Sequence, residues 1–212
     1  SRHFGTVLSV DTKGDGTPVT EADRAAETLL RDEIEKRFPG HGILGEEFGE
    51  TRPESSIRWI LDPIDGTKAF MRGIPLYGVL IGIEVEGESV VGVAHFPALR
   101  ETVGAASVHG CVWNGRPARV SPVDNIENAL ALTTDPSELL DGAAARGWDT
   151  LVRRAAMART WGDCYGHVLV ATGRAEIMVD PVLSPWDAAP FPPILREAGG
   201  RYTDLRGGEG TD

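Results

Sequence analysis

The sequence has little of what marks membrane proteins or disulfide-rich proteins. Only two of its 212 residues are cysteines, and Cys111 and Cys164 form no CxxC pattern. We therefore expect free thiols in a reducing compartment. No apolar run approaches the ~20 residues that a membrane span needs, and no signal-peptide pattern opens the chain. These absences predict a cytoplasmic protein that does not enter a membrane.

Basic residues are also scarce, since 21 Lys and Arg stand against 32 Asp and Glu and the net charge is −11. Such a field repels polyanions, so we expect no nucleic-acid partner. A small phosphate substrate would be repelled too, unless bound cations reverse the local sign. The hydrophobic content of 41% suits one globular unit, or one unit with two lobes.

The hydrophobic pattern predicts an α/β fold made of an α+β lobe over 1–115 and an α/β lobe over 116–212. The clearest helix covers 20–38, where Thr20 is a good N-cap and Asp23 occupies the capping-box position. A strand over 58–61 is predicted to end at Asp62. Further strands are predicted over 79–85, 89–96, 101–108, 129–133, 175–179 and 201–204, helices over 137–147, 149–156, 163–172 and 186–198, and a hairpin at Asn114-Gly115.

The segment Asp62-Pro63-Ile64-Asp65-Gly66-Thr67 has two carboxylates three residues apart where the strand is expected to end. We expect Pro63 and Gly66 to force a tight turn that stops the strand and lets both carboxylates face one point. Like charges held that close repel unless a cation lies between them. Hard oxygen ligands suit Mg²⁺, and a short helix opening at Gly66-Thr67 could hold a phosphate beside the metal.

Three more acidic positions have ordinary interpretations when each is taken alone. Glu46 and Glu47 could be solvated, Asp187 could be a helix N-terminal charge, and Asp23 could be a capping residue only. Their combination with Asp62 and Asp65 is what points to a metal centre.

Taken together, these segments resemble the inositol monophosphatase family through nearly the whole chain. Four motifs in the right order carry the resemblance: Val19-Thr20-Glu21-Ala22-Asp23, Gly45-Glu46-Glu47, Asp62-Pro63-Ile64-Asp65-Gly66-Thr67, and Trp186-Asp187-Ala188-Ala189 followed by Glu197-Ala198-Gly199-Gly200. The resemblance implies a layered αβαβα sandwich of the inositol monophosphatase and fructose-1,6-bisphosphatase type, usually a homodimer. It also implies a Mg²⁺-dependent, lithium-sensitive phosphatase that acts on a small phosphate monoester.

The same resemblance implies roles for individual residues. Glu46, Asp62 and the Ile64 carbonyl would bind one Mg²⁺, while Asp62, Asp65 and Asp187 would bind a second. Glu46, with waters, would hold a weaker third ion. The N–H groups of Gly66 and Thr67 would bind phosphate. The nucleophilic water would be oriented and deprotonated by Glu46 and Thr67, with Asp23 behind them. Glu47 would support the metal ligands, and Lys13 would lie near them unless it has only a surface role.

Within the family, the segment from Arg159 to Gly166 resembles the histidinol-phosphatase branch. Asp180 stands seven residues before Asp187, where the family places a substrate-contacting acid. Histidinol phosphate carries an amine and an imidazole, so Asp163 and Asp180 could pair with its cationic end, with Arg159 also near the substrate. The alternatives are an N-cap role for Asp163, a turn at Asp180, and a structural ion pair for Arg159.

Other functions stay open on the sequence alone. An inositol 1-phosphate, sugar-phosphate or nucleotide-phosphate phosphatase would use the same residues. A haloacid-dehalogenase-type phosphatase would need an Asp at position 60, which is Ile60 here. A non-catalytic metal- or ligand-binding module would have no need of the full carboxylate set. Pro190 and Pro192 fall inside the predicted helix 186–198, so we expect that helix to be irregular near Asp187.

Overall fold

The computed structural model describes residues 10–12, 18–140 and 142–208, so the candidate Lys13 lies outside the described residues. The strands are β1 (Val10–Thr12), β2 (Pro18–Thr20), β3 (Gly42–Gly45), β4 (Gly49–Thr51), β5 (Ile57–Asp65), β6 (Gly78–Val85), β7 (Glu88–Phe96), β8 (Glu101–Ala106), β9 (Gly110–Trp113), β10 (Arg116–Pro117), β11 (Leu130–Leu132), β12 (Met157–Arg159) and β13 (Ile177–Met178). The α-helices are α1 (Glu21–Arg37), α2 (Thr67–Met71), α3 (Gly142–Arg154), α4 (Cys164–Ala171), α5 (Pro185–Ala188) and α6 (Phe191–Glu197), with 3₁₀ helices at Ile126–Asn128 and Pro136–Leu139.

Eight strands form the large sheet, in the order β10-β9-β8-β7-β6-β5-β3-β4. Its pairings are antiparallel except between β3 and β5, which run parallel. Burial alternates along β6 with a period of two, but the fully buried positions are Gly78, Leu80, Gly82 and Glu84. The alternating apolar side chains that predicted the strand, those of Val79, Ile81, Ile83 and Val85, lie on the less buried face. The predicted hairpin at Asn114-Gly115 is confirmed, since both residues have positive φ angles and link β9 to β10.

Three short parallel strands form a second sheet in the order β12-β11-β13. Parallel strands have their carboxyl ends at one edge of the sheet, which is where open α/β sheets bind ligands. The buried side chains of Leu132, Leu169 and Ala175 pack this sheet against α4. The sheet therefore directs the residues that follow its three strands toward one place.

Helices α4 and α6 pack against the large sheet and complete its core. Val168 of α4 and Phe191 of α6 lie in one buried cluster with Phe96 of β7. The C-terminal part of the chain thus shares a core with the eight-stranded sheet. Among the described residues, no helix combines the length and apolar character that crossing a membrane would require.

Both cysteines are free and buried, as the sequence predicts for this pair. Burial raises the pKa of the Cys111 thiol to about 11 and raises that of Cys164 well above its usual value. Both thiols are therefore protonated, and so weakly nucleophilic, at neutral pH.

The capping-box prediction for α1 is confirmed, but several other boundaries are wrong. The predicted helices 137–147 and 149–156 are a 3₁₀ turn and the single helix α3, and β12 was missed entirely. The predicted strand 201–204 is irregular. The three residues of β12 are too few to show a period, and β12 is fixed by pairing with β11 rather than by local preference.

The predicted helix 186–198 is two helices, α5 and α6, because the helix is interrupted at Ala189 and Pro190. Pro192 then falls in the first turn of α6, where a missing N–H costs no intrahelical bond. The two residues between the helices pack against Gly82 of β6 and Gly92 of β7. A Cβ on Gly82 would lie 2.7 Å from the Ala189 Cβ, and one on Gly92 would overlap the Pro190 carbonyl. These glycines let the link that follows Asp187 approach the sheet backbone closely.

We predict that Gly92→Ala destabilises the fold by about 1–3 kcal/mol, because the added methyl group pushes α6 off β7. Urea denaturation measures this change. Gly104→Ala is the matched control, since a Cβ there meets nothing closer than 3.6 Å; we expect a change within about 0.5 kcal/mol. Equal effects of the two substitutions would contradict the close approach at Gly92.

Candidate metal and phosphate site

A β-bulge brings Asp62 and Asp65 to one side of β5. Side chains alternate along a regular strand, so residues three apart would face opposite sides. In the pairing of β5 with β6, however, Asp62 lies opposite Leu80 and Asp65 lies opposite Gly78. Two residues of β5 therefore stand between these pairs where β6 has one, and the extra residue is the bulge. The predicted tight turn that ends the strand at Asp62 is therefore wrong. Pro63 is tolerated inside the strand because it falls within the bulge.

Asp187 reaches the same place from α5. Its carboxylate accepts a hydrogen bond of 2.8 Å from the Ser184 N–H, and the reciprocal bond completes a capping box. Ligand oxygens of Asp62, Asp65 and Asp187 lie within 4.8 Å of one another. The helix break at Ala189 leaves this box intact, so the prolines do not displace Asp187.

Burial raises the pKa values of all three carboxyls, and the charges of neighbouring acids add to the rise. Desolvation is the largest cause for Asp62, followed by the charges of Asp65 and Glu46. Desolvation also dominates for Asp65, which the N–H of Cys164 partly offsets with a 2.6 Å bond. The pKa of Asp187 is raised by burial and lowered by the Ser184 N–H. Buried carboxylates with raised pKa values are unfavourable as anions without a counter-charge, so a cation bound between the three would stabilise their ionised form.

Glu46 follows β3, which is the parallel neighbour of β5. Its N–H donates to the Leu61 carbonyl at 3.2 Å, and its charge raises the pKa of Asp62. Its carboxylate lies near the cluster but is not part of the compact group of three. Ile64 is buried, and its carbonyl accepts a 3.0 Å bond from the Thr67 hydroxyl.

Glu27 holds the Glu46 segment in place, and the sequence interpretation missed it. This fully buried carboxylate accepts from the N–H groups of Glu47 at 2.7 Å and Phe48 at 3.3 Å. Arg31 neutralises it with a 2.7 Å ion pair. The signal was present, because Glu27 lies one turn after Asp23 on the same face of α1.

Asp23 ties α1 to the segment Gly66-Thr67, which is predicted to bind phosphate and is called the phosphate loop below. One of its oxygens accepts from the N–H and hydroxyl of Thr20, and the other lies 3.5 Å from the Thr67 hydroxyl. Gly66 has a φ of 79°, which favours glycine. A Cβ on Gly66 would lie 3.3 Å from an oxygen of Asp163, so the loop that follows β12 touches the phosphate loop directly.

A cavity beside the three carboxylates contains the predicted substrate residues Asp163 and Asp180. Desolvation raises the pKa of Asp163 to about 6, helped by the charge of Asp180. His167 is buried, and its Nε2 lies 3.5 Å from Asp180 Oδ2. The lining residues are Asp65, Thr134, Glu138, Asp163, Cys164, His167, Asp180, Val182, Leu183, Asp187 and Phe191.

The structure does not bring Arg159 into this cavity. Arg159 ends β12 with an exposed side chain that donates to the Ala158 carbonyl at 2.7 Å. Asp163 is at the N-cap position of α4, but its side chain makes no capping hydrogen bond. Helix capping, the alternative role considered for Asp163, therefore does not account for its carboxylate. Glu138, which also lines the cavity, is a carboxylate that the sequence interpretation did not single out.

The residues present fit a divalent cation. Three carboxylates and one nearby main-chain carbonyl give an all-oxygen donor set, and the raised pKa values show that the acids are unfavourable as unpaired anions.

Comparisons with known proteins agree with this geometry. The model of the inositol monophosphatase family matches residues 1–211. The chain belongs to the inositol monophosphatase family. It is 49% identical over 200 residues to a histidinol-phosphatase of Chlorobaculum parvum, a match that covers 94% of this chain and 77% of the relative. It is 36% identical over 218 residues to an inositol-1-monophosphatase of Mesorhizobium japonicum, with 99% and 81% covered.

The fold prediction is confirmed by solved structures. An inositol monophosphatase from Zymomonas mobilis superposes with a TM-score of 0.86 at 32% identity, covering 98% of this chain and 80% of that one. The mixed α/β architecture with a large central sheet is therefore that of the family.

We predict that Mg²⁺ stabilises the protein through Asp62. At about 100 times its dissociation constant, Mg²⁺ should add about 2.7 kcal/mol, which raises the melting temperature of a chain this size by roughly 5–10 °C. Thermal denaturation with Mg²⁺ or EDTA measures the rise. Asp62→Asn should lose the rise without being less stable in EDTA, because it removes one buried repelling charge.

Asp149→Asn is the control for this experiment, since Asp149 is exposed and its carboxylate pairs with Arg153 on the surface of α3. It should keep the full response to Mg²⁺. A full response in Asp62→Asn would contradict the metal site.

Proposed function

We propose that this protein is a Mg²⁺-dependent phosphatase that hydrolyses histidinol phosphate to histidinol and phosphate. The observation that carries the proposal is the position of the three-carboxylate cluster beside a cavity with two further acids, Asp163 and Asp180. The first group fits metal ions, and the second fits the cationic end of an amino-alcohol phosphate. Family membership supports the reaction class of phosphoric monoester hydrolysis.

The donor set fits two or three Mg²⁺ ions. Glu46, Asp62 and the Ile64 carbonyl would hold one, Asp62, Asp65 and Asp187 a second, and Glu46 with waters a weaker third. Bound Mg²⁺ would supply a water of lowered pKa and neutralise charge on the phosphate and leaving oxygen.

The chain's own residues hold the phosphate and direct the attack. The N–H groups of Gly66 and Thr67, at the start of α2, would bind phosphate oxygens. The Thr67 hydroxyl, between the Ile64 carbonyl and Asp23, can orient an attacking water, and Glu46 can accept its proton. Glu47 supports the turn that carries Glu46. Attack by water in line with the leaving oxygen needs no covalent intermediate.

Substrate choice is proposed to rest on charge. Asp163 and Asp180 present two carboxylates to the leaving group, which a neutral polyol does not require. The greater identity to a relative named histidinol-phosphatase than to one named inositol-1-monophosphatase favours the same choice. Arg159 lies outside the cavity, so its part in substrate binding stays a prediction.

Other expectations accompany this proposal. A homodimer, a cytoplasmic location, inhibition by lithium and the division at residues 115 and 116 all stay predictions. The division is supported by the separate small sheet of β11, β12 and β13, although α6 packs back onto the large sheet.

We predict that phosphate release is fastest from histidinol phosphate when four monoesters are compared. The others are inositol 1-phosphate, fructose 1,6-bisphosphate and adenosine 3′,5′-bisphosphate. The value of kcat/KM should favour histidinol phosphate at least about tenfold, as one well-placed charged contact gives. EDTA should abolish release, and Mg²⁺ should restore it.

A clear preference for inositol 1-phosphate would refute the substrate and keep the reaction class. No Mg²⁺-dependent release from any of the four would favour a non-catalytic binding module. Trapping a phosphoaspartate would point instead to a haloacid-dehalogenase-type reaction.

A further inference from the structure

The two acids of the cavity lie on loops that leave one edge of the small sheet. Asp180 follows β13 by two residues, and Asp163 follows β12 by four. Between them runs the loop after β11, the central strand, and its second residue is Thr134. Thr134 is therefore placed to touch both acids at the edge where parallel sheets bind ligands.

Thr134 engages both oxygens of Asp180. Its N–H donates to Oδ1 and its hydroxyl donates to Oδ2, each at 2.9 Å. The side chain of Asp180 is only 3% exposed. A buried carboxylate with both oxygens bonded to one residue cannot rotate without breaking a bond, so Thr134 fixes its plane.

The same hydroxyl accepts a 2.7 Å hydrogen bond from the N–H of Asp163. The Thr134 hydroxyl donates its hydrogen to the Asp180 carboxylate and accepts the Asp163 N–H on a lone pair, so it can make both hydrogen bonds at once. Asp163 has a φ of 50°, a strained value for a residue other than glycine. Such a conformation persists only where its surroundings hold it.

Gly162 allows this contact. A Cβ on Gly162 would overlap the Thr134 backbone, so the two loops can meet only with glycine there. Three separate features thus converge on Thr134: a doubly bonded carboxylate, a strained neighbour that it holds, and a glycine that makes room for it.

We infer that Thr134 is a positioning residue that fixes the separation and orientation of Asp163 and Asp180, and thereby the selectivity of the cavity for a cationic leaving group. This inference rests on the proposed function. Without the Thr134 hydroxyl, the Asp163 N–H loses its hydrogen-bond acceptor, and Asp163 can relax from its strained conformation. Asp180 keeps only the first of its two hydrogen bonds from Thr134, the one from the main-chain N–H. None of the Thr134 bonds described above reaches Asp62, Asp65 or Asp187 directly. The nearest link is the Cys164 N–H, which α4 holds against Asp65, so we expect the main effect on substrate binding and a small one on the chemical step.

Steady-state kinetics on Thr134→Val tests the inference, because valine keeps the shape and the main-chain N–H but loses the hydroxyl. KM for histidinol phosphate should rise about tenfold, with kcat within about twofold. KM for inositol 1-phosphate should change less than about twofold. Thr134→Ser, which keeps the hydroxyl, should stay within about threefold of the wild-type KM.

Thr133→Val is the matched control. Thr133 is fully buried, and its hydroxyl has no hydrogen-bond partner within the part of the chain that the structure describes. Its kinetics should match the wild type. Asp180→Asn is the reference for losing the charge itself and should raise KM for histidinol phosphate at least as much as Thr134→Val does.

Melting curves establish that each variant folds, and Thr134→Ala replaces Thr134→Val if the valine variant does not. An unchanged KM in Thr134→Val, or a loss confined to kcat, overturns the inference. If the wild type prefers another monoester, the proposed substrate fails. Selectivity for a cationic leaving group then fails with it, and the positioning role is judged on that monoester. A rise in KM in Thr134→Val but not in Thr134→Ser or Thr133→Val supports that role, and equal values for Thr133→Val and Thr134→Val overturn it. A wild type inactive on all four monoesters overturns both.

Discussion

The repulsion between buried carboxylates is the constraint on which the rest of this structure depends. Asp62, Asp65 and Asp187 come from β5 and α5, yet their oxygens share a space less than 5 Å across. Each is held by main-chain N–H groups, from Ile64, Cys164 and Ser184 respectively. The fold keeps these like charges together, and a cation in that space would neutralise them without any of the three being protonated.

Helix α1 supports this arrangement from behind with two buried acids one turn apart. Asp23 reaches the phosphate loop at Thr67, and Glu27 binds the N–H groups after Glu46. The loops after the small sheet close the other side, where the Cys164 N–H joins Asp65 to the substrate cavity. One helix and one sheet edge therefore fix the proposed metal ligands, phosphate-binding segment and substrate-binding acids relative to one another.

The sequence predicted the family, the fold and the meeting of Asp62, Asp65 and Asp187, because local motifs and capping patterns report directly on these features. It failed where long-range pairing decides. Residues Asp62 to Asp65 were predicted to end a strand, but pairing with β6 keeps them in it as a bulge. Glu138 and Thr134 were missed because an isolated Glu or Thr carries no pattern until the fold gives it partners. Glu27 was missed although its spacing from Asp23 places both acids on one face of α1.

The central claim is that the carboxylates of Asp62, Asp65 and Asp187 meet around divalent ions. Anomalous scattering from crystals grown with Mn²⁺, a close substitute for Mg²⁺ in oxygen sites, tests it most directly. We predict strong peaks within about 2.0–2.4 Å of oxygens of these three residues, with another beside Glu46 and the Ile64 carbonyl. Peaks only elsewhere, with the three carboxylates bonded to one another or to water, would contradict the account.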